Sequence, residues 1–197
     1  YGLITELALN DGRSRLTGEQ LGPNTGDPRN FCCFDEVLNA YKAQVAHALE
    51  IAFTFQHSDL EMMSRVPCPL QSAFFNSCME TGKDVYNGGC APHVILQMPI
   101  AGAANVGDSL AAVKKVVFDE KKITMEQLID ALDANFEGYE DIQHLLERAP
   151  KFGNDDDYVD LLLKDVLCYS CDYVKDRQSF GGAHFGTTIL TLTANVM

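Results

Sequence analysis

The stretch from Ala101 to Asp160 sets out a run of helices through its own start and stop signals, and that constrains the fold more than anything else in the chain. Asn105 reads as an N-cap with Asp108 three residues on, and Leu110, Val113 and Val117 recur at helical spacing, which predicts a first helix to about Asp119. Thr124 with Gln127 makes a capping box, and Ile123 and Leu128 stand where a hydrophobic staple places them, ahead of Leu132 and Phe136. Gly138 is expected to close this second helix. A short third helix carries Ile142, Leu145 and Leu146 up to Pro150, and Gly153-Asn154 opens a fourth with Asp155, Asp156 and Asp157 in its first turn, where the macrodipole favours negative charge.

Size and charge narrow what such a chain can do. Its 197 residues, 46% hydrophobic and 22% charged, suffice for one folded domain with a core. A formal charge of −13 argues against nucleic acid or an anionic membrane surface as partner, since both select for clustered Lys and Arg. No apolar run approaches the roughly 20 residues of a membrane span, and Tyr1 is not followed by a signal-peptide pattern, so a cytoplasmic location is the expectation. Seven cysteines, an odd number without framework spacing, read as reduced thiols. The chain starts at Tyr1 rather than Met and ends at Met197 on a strand-like run, as expected of a single segment, 1–197, truncated at both ends.

Upstream, Leu3, Ile4 and Leu7 share a face of a helix that Asp11-Gly12 stops. Glycines and prolines from Gly18 to Pro28 predict a surface loop; a phosphate cradle is the rival reading, weakened by the absence of a G-K-[ST]. Phe34 to about Met63 is helical throughout, with Val37, Tyr41, Val45, Ala48, Leu49 and Ala52 in one stripe. Another helix is expected from about Leu70 to Glu80, with Gly82 after its end. Val85 to Met98 predicts a strand, a bend at Gly88-Gly89 and a second extended piece. The helix starting near Asp155 is expected to run to about Asp176, and Thr187 to Val196 alternates like a strand, with Ile189, Thr191, Thr193 and Asn195 on one side.

The particular residues add a resemblance. A-N-V-x-D-S-L-A-A-V-K-K, N-F-E-G-Y-E and A-P-K-F-G-N-D-D-D-Y-V-D, together with the connector L-T-G-x-Q-x-G-P-x-T-G-D-P before Phe31, resemble glycyl radical enzymes of the pyruvate formate-lyase superfamily. Closest is the glycerol dehydratase and choline lyase-like branch, and the likeness covers nearly the whole chain. It implies a helix-rich α/β fold, a partial segment of the family's ten-stranded α/β barrel. The region written G-G-A-x-Y-N in the family lines the cavity; here Cys90 replaces Ala and Pro92-His93 replaces Tyr-Asn. T-A-N-V near the C-terminus is similar to the family's S-A-N-V strand, with a threonine face toward the cavity. By that resemblance Cys90, His93, Thr191 and Thr193 are the candidate substrate-binding residues.

The same resemblance implies thiyl-radical hydrogen abstraction from a small organic substrate. The family's catalytic cysteine sits in a G-C-V-E-P-like motif and its radical glycine in an R-V-x-G-Y-like motif, and neither occurs in this chain. No catalytic residue is therefore carried over. The segment is expected to supply barrel wall and substrate lining, to be inactive alone, and to bind no cofactor itself; the glycyl radical belongs to a residue outside the chain, installed by an S-adenosylmethionine iron–sulfur activating enzyme. Implied partners are the substrate, the activating enzyme, the remainder of the barrel and a second copy in a homodimer. The alternative from another class is a noncatalytic accessory or binding fragment that pairs with a partner chain.

Other motifs have plainer readings. Cys168 and Cys171 form one C-x-x-C within a helix and no second pair exists, so core thiols are expected rather than a metal site. Cys32-Cys33 is expected to pack against a helix start, and Cys90 to act as a small buried hydrophobe unless it faces the cavity. His93 is either a proton donor or acceptor toward substrate or a packed histidine; His47, His57, His144 and His184 read as structural. The aspartate run at 155–157 lacks the spacing of a calcium loop, and Lys114-Lys115 and Lys121-Lys122 read as solvated faces.

Overall fold

The computed structural model describes residues 2–90 and 95–190. In chain order its helices and strands are α1 (Gly2–Ala8), α2 (Phe34–Ser64), α3 (Pro69–Ser72), α4 (Asn76–Thr81), β1 (Ile95–Ala101), α5 (Ala103–Val113), α6 (Met125–Asp133), α7 (Glu140–Glu147), α8 (Asp157–Val174) and β2 (His184–Leu190). Wider helical turns occupy Val85–Gly89 and Lys114–Asp119. Strands β1 and β2 pair in a two-stranded sheet, and helices dominate the rest. By contact the described chain divides into two compact units, residues 2–47 with 101–169 and residues 48–100 with 170–189.

In the first unit, α1 buries Ile4, Leu7 and Ala8, while Leu3, expected on that face, is 54% exposed. The chain then reverses through Asp11 and Gly12, both at positive φ, a region glycine enters freely and aspartate tolerates. The Asp11 carboxylate accepts from the N–H groups of Thr25 and Gly26 at 2.6 and 2.8 Å, and so closes the glycine-rich surface loop on itself. Gln44 of α2 donates to the Pro23 carbonyl at 2.7 Å. A Cβ on Gly22 would fall 1.9 Å from the Gln44 side-chain oxygen, so any larger residue here would have to displace the Gln44 amide from the loop. The α2 stripe buries Val37, Tyr41, Val45 and Leu49 as its periodicity requires.

The helices after Ala101 form the rest of this unit. The first begins at Ala103 behind Gly102, which is left-handed at φ 75°, so Asn105 lies inside it rather than at its cap. The helical run does continue to Asp119, but its last turn winds more widely. Gly107 lets α8 come close: a Cβ there would stand 3.3 Å from that of Leu163 and 3.6 Å from a Val159 methyl. The capping box is formed in full, with Gln127 N–H donating to the Thr124 hydroxyl at 3.1 Å and Thr124 N–H to the Gln127 side chain at 2.9 Å; Ile123 and Leu128 are buried beside it. Arg29 reaches both Asp130 and Asp133 of α6 at 2.9 Å.

Other expectations are corrected here. The helix α6 stops at Asp133, before Gly138, because Asn135 and Phe136 already turn at positive φ. Asp155 also has positive φ, so it lies outside α8, and Asp156 is the cap, accepting from Tyr158 N–H at 3.0 Å. Only Asp157 of the three opens the helix, which ends at Val174 rather than Asp176. Lys114 is not simply solvated: its ammonium stands 4.4 Å from the Tyr158 ring centroid and 5.9 Å from that of Phe34. Tyr158 donates to Asp119 at 2.7 Å, and burial, reinforced by that carboxylate, pushes its phenol well above the usual range.

Replacing Thr124 by Ala removes one half of the capping box and is expected to lower unfolding free energy by about 1 kcal/mol, with Thr124→Ser close to neutral. Urea denaturation with an unchanged slope is the measurement; a midpoint for Thr124→Ala equal to that of the unaltered chain would show that the cap contributes nothing.

Candidate functional site

The second unit holds the stretch that the sequence marks as cavity lining. Pro67 and Pro69 end α2, and two short helices follow where a single one was expected, with Ala73 to Phe75 turning between α3 and α4. Gly82 is the left-handed residue that ends α4, as its position predicts. The Asp84 carboxylate then gathers the chain. It accepts from Cys68 N–H at 2.7 Å, from the Ser72 hydroxyl at 2.9 Å and from Tyr86 N–H at 3.0 Å. Ser72 in turn accepts from Val85 N–H at 3.0 Å. The Tyr86 N–H is the main reason the Asp84 carboxyl sits below its usual range; partial burial opposes it, and the Cys68 and Ser72 donors assist.

The segment from Val85 to Gly89 is therefore a wide helical turn and not the strand expected, because its N–H groups are spent on Asp84 and Ser72 instead of on a ladder. Gly88 (φ 78°) lies against Gly181 (φ 71°), whose carbonyl would be 3.3 Å from any Cβ added at Gly88. Gly89 is tighter still. A Cβ on it would lie 2.4 Å from the Lys83 carbonyl, 2.7 Å from the Asp84 carbonyl and 2.7 Å from the Cys78 sulfur. The glycine pair is thus a requirement for stacking backbone on backbone.

Of the predicted site residues, Cys90 caps this turn, is buried, and places its sulfur 3.6 Å from that of Cys78. His93, Thr191 and Thr193 lie outside the described residues. The strand pair on either side of them is described: β1 begins at Ile95, and β2 begins at His184, three residues before the expected start. Met98, Ile100 and Phe185 are buried there.

A second cluster in this unit has no sequence signal. Arg177 pairs with Glu50 through both terminal nitrogens, and Tyr173 donates to the same carboxylate at 2.6 Å. Those bonds, the Arg177 one foremost, hold the Glu50 carboxyl below its usual range and push the guanidinium up. Arg177 also lies over the rings of Phe53 and Tyr173. His57, read as structural, stacks on Phe53 and meets the buried Ser179 hydroxyl at 3.2 Å. Because Glu50 and Arg177 are 127 positions apart, periodicity could not have joined them.

The remaining cysteines correct the sequence reading. Cys168 and Cys171 are exposed, since the buried stripe of α8 runs through Val159, Leu163, Val166 and Ser170. Cys32 and Cys33 are exposed as well, with their N–H groups turned to Glu36. Among the described residues no group of three or more His, Cys, Asp or Glu side chains could hold a metal ion. The first unit has an open cavity of about 550 Å³ whose lining joins apolar side chains such as Leu9, Leu132 and Phe136 to charged ones such as Glu6, Arg15 and Lys151.

A model of the family described as pyruvate formate lyase-like matches residues 2–197. The chain belongs to that family. It is 37% identical over 195 residues to a trans-4-hydroxy-L-proline dehydratase of Clostridioides difficile, covering 98% of this chain and 25% of that protein. The crystal structure of that dehydratase with its substrate superposes with a TM-score of 0.89 over 95% of this chain and 24% of its own. An isethionate sulfite-lyase of Desulfovibrio desulfuricans is 38% identical over 200 residues, 100% of this chain and 24% of the relative. A glycerol-bound B12-independent glycerol dehydratase of Clostridium butyricum superposes with a TM-score of 0.86 at 36% identity, covering 94% of this chain and 23% of its own. The chain thus spans about a quarter of the length of these relatives, which are glycyl radical enzymes, and its helix-rich fold matches a segment of their barrels.

In this pyruvate formate lyase-like segment, Asp84 gives the turn a pH dependence with a definite sign. Its carboxyl titrates lower in the folded chain than in the unfolded one, so its stabilisation is complete above the ordinary carboxylate pKa of about 4 and is lost as pH falls through the folded value. Asp84→Asn is expected to lower the denaturation midpoint by a constant amount between about pH 5 and pH 7, and by progressively less below about pH 4. A difference that grew on acidification would contradict this assignment.

Proposed function

We infer that this chain forms part of the barrel wall of a glycyl radical lyase or dehydratase that acts on a small organic substrate. The observation that carries the reading is the match along almost the entire chain to a hydroxyproline dehydratase and a sulfite-lyase, both in sequence and, for the dehydratase, in fold. In such an enzyme a thiyl radical takes a hydrogen atom from substrate. Both the cysteine and the glycine that generate it belong to polypeptide beyond these residues, so this segment contributes binding, orientation and the exclusion of water.

The lining is assigned to the turn ending at Cys90 with His93, Thr191 and Thr193. Cys90 turns its thiol toward Cys78, which leaves its backbone to shape the wall, and His93 and the two threonines to meet polar groups of the substrate. The relatives are named for hydroxyproline and isethionate, and one holds glycerol, small polar molecules that hydrogen-bonding side chains suit.

The second unit also supports incompleteness. Phe74 is 80% exposed, Leu70 76% and Phe55 67%, and these apolar side chains gain cover only if further barrel elements pack on them. Alone, the chain is expected to yield no product when mixed with an activating enzyme, and to elute in gel filtration as associated species.

Within a polypeptide that carries the radical-forming residues, His93→Ala and Thr193→Val are each expected to reduce kcat/KM by roughly three- to tenfold, the loss of one hydrogen bond to substrate, with the radical signal in electron paramagnetic resonance unchanged. Unaltered kinetics in both variants, or turnover by the isolated chain, would overturn the proposal.

A further inference from the structure

Cys78 lies on α4 and Cys90 at the end of the Val85–Gly89 turn, yet their sulfurs are 3.6 Å apart and each residue is only 4% exposed. That is the only sulfur–sulfur contact found among the described residues. Gly89 permits it, since a Cβ at that position would fall 2.7 Å from the Cys78 sulfur. To reach a bond length of about 2.05 Å the two sulfurs need to approach by roughly 1.5 Å, a side-chain movement. Cys78 also lines an open cavity of about 280 Å³ beside Ser72, Met79 and Asp84, which a small oxidant can enter.

We propose that Cys78 and Cys90 form a reversible intrachain disulfide, an oxidative modification site that ties α4 to the turn leading into the segment before β1. The oxidant is a hydroperoxide, with hydrogen peroxide the simplest member. The Cys78 thiolate attacks one peroxide oxygen and the O–O bond breaks; the sulfur becomes a sulfenic acid, and the departing oxygen leaves as water after taking up a proton. The Cys90 sulfur then attacks the Cys78 sulfur, the S–O bond breaks, and a second water departs with the Cys90 proton. Two thiols are oxidised and one peroxide is reduced to two waters. Burial, helped by the hydrogen bond with Cys90 and the nearby Asp84 charge, pushes the Cys78 thiol up, so closure is slow near neutrality and speeds up with pH. The proposal does not depend on the catalytic reading of the chain.

The test is peptide mapping of the native, unsubstituted chain after exposure to hydrogen peroxide and alkylation of free thiols. Cleavage after Phe74 or Phe75 separates Cys68 from Cys78, so that a link to Cys90 is unambiguous. The expected result is a Cys78–Cys90 cross-linked peptide that dithiothreitol releases, that Cys90→Ser abolishes, and that accumulates several times faster at about pH 9 than at about pH 7. A second measurement uses a chain in which Cys32, Cys33, Cys68, Cys168 and Cys171 are all replaced by Ser. It is expected to lose the mass of two hydrogen atoms. Cys78 and Cys90 both recovered as alkylated thiols, Cys78 carrying added oxygen without a link, or either residue linked to another cysteine would each overturn the proposal.

Discussion

The carboxylate of Asp84 draws three donors from both sides of α4 to one point, and the geometry of the second unit depends on that convergence. With those bonds made, the chain after Lys83 can fold back tightly enough for Gly89 to rest on the carbonyls of Lys83 and Asp84 and on the Cys78 sulfur. Backbone stacked this closely leaves no room for a methyl group. It also commits the N–H groups of Val85 and Tyr86 to side-chain acceptors, which is why Val85–Gly89 is a turn and not a strand.

The same convergence sets where the turn ends. A turn anchored by the hydrogen-bonded Asp84 carboxylate and by glycine contact with Gly181 ends at Cys90, whose backbone N–H bonds the Gly88 carbonyl. The Glu50–Arg177–Tyr173 cluster fastens α2 to the chain after α8 in the same unit, again through a carboxylate with several donors. Both clusters are part-exposed ion and hydrogen-bond networks, so their contribution lies more in geometry than in stability.

In the first unit the ordering forces are more local. Capping at Thr124 and Asp156 and the left-handed turns at Asp11 and Gly102 each involve few residues and need little from the rest of the chain. Two of the segments that resemble the family, A-N-V-x-D-S-L and G-N-D-D-D-Y-V-D, lie there. Those segments carry glycine approach and helix capping, physical requirements that tolerate few substitutes.

What the sequence determined alone is what short-range physics decides. The run of α2 from Phe34, the capping box at Thr124, the helix end at Gly82 and membership of the radical-enzyme family were all legible, because periodicity, caps and motif residues act within a few positions. Cys90 read as buried and is, but Cys168 and Cys171 read as core and are exposed, since which face of a helix turns inward is chosen by its neighbours. The Cys78–Cys90 contact, the Glu50–Arg177 pair and the replacement of a strand by a turn at Val85 were not legible. Each joins groups that only the folded chain brings together, and the free energy that selects them is shared among donors, glycines and packing surfaces far apart in sequence.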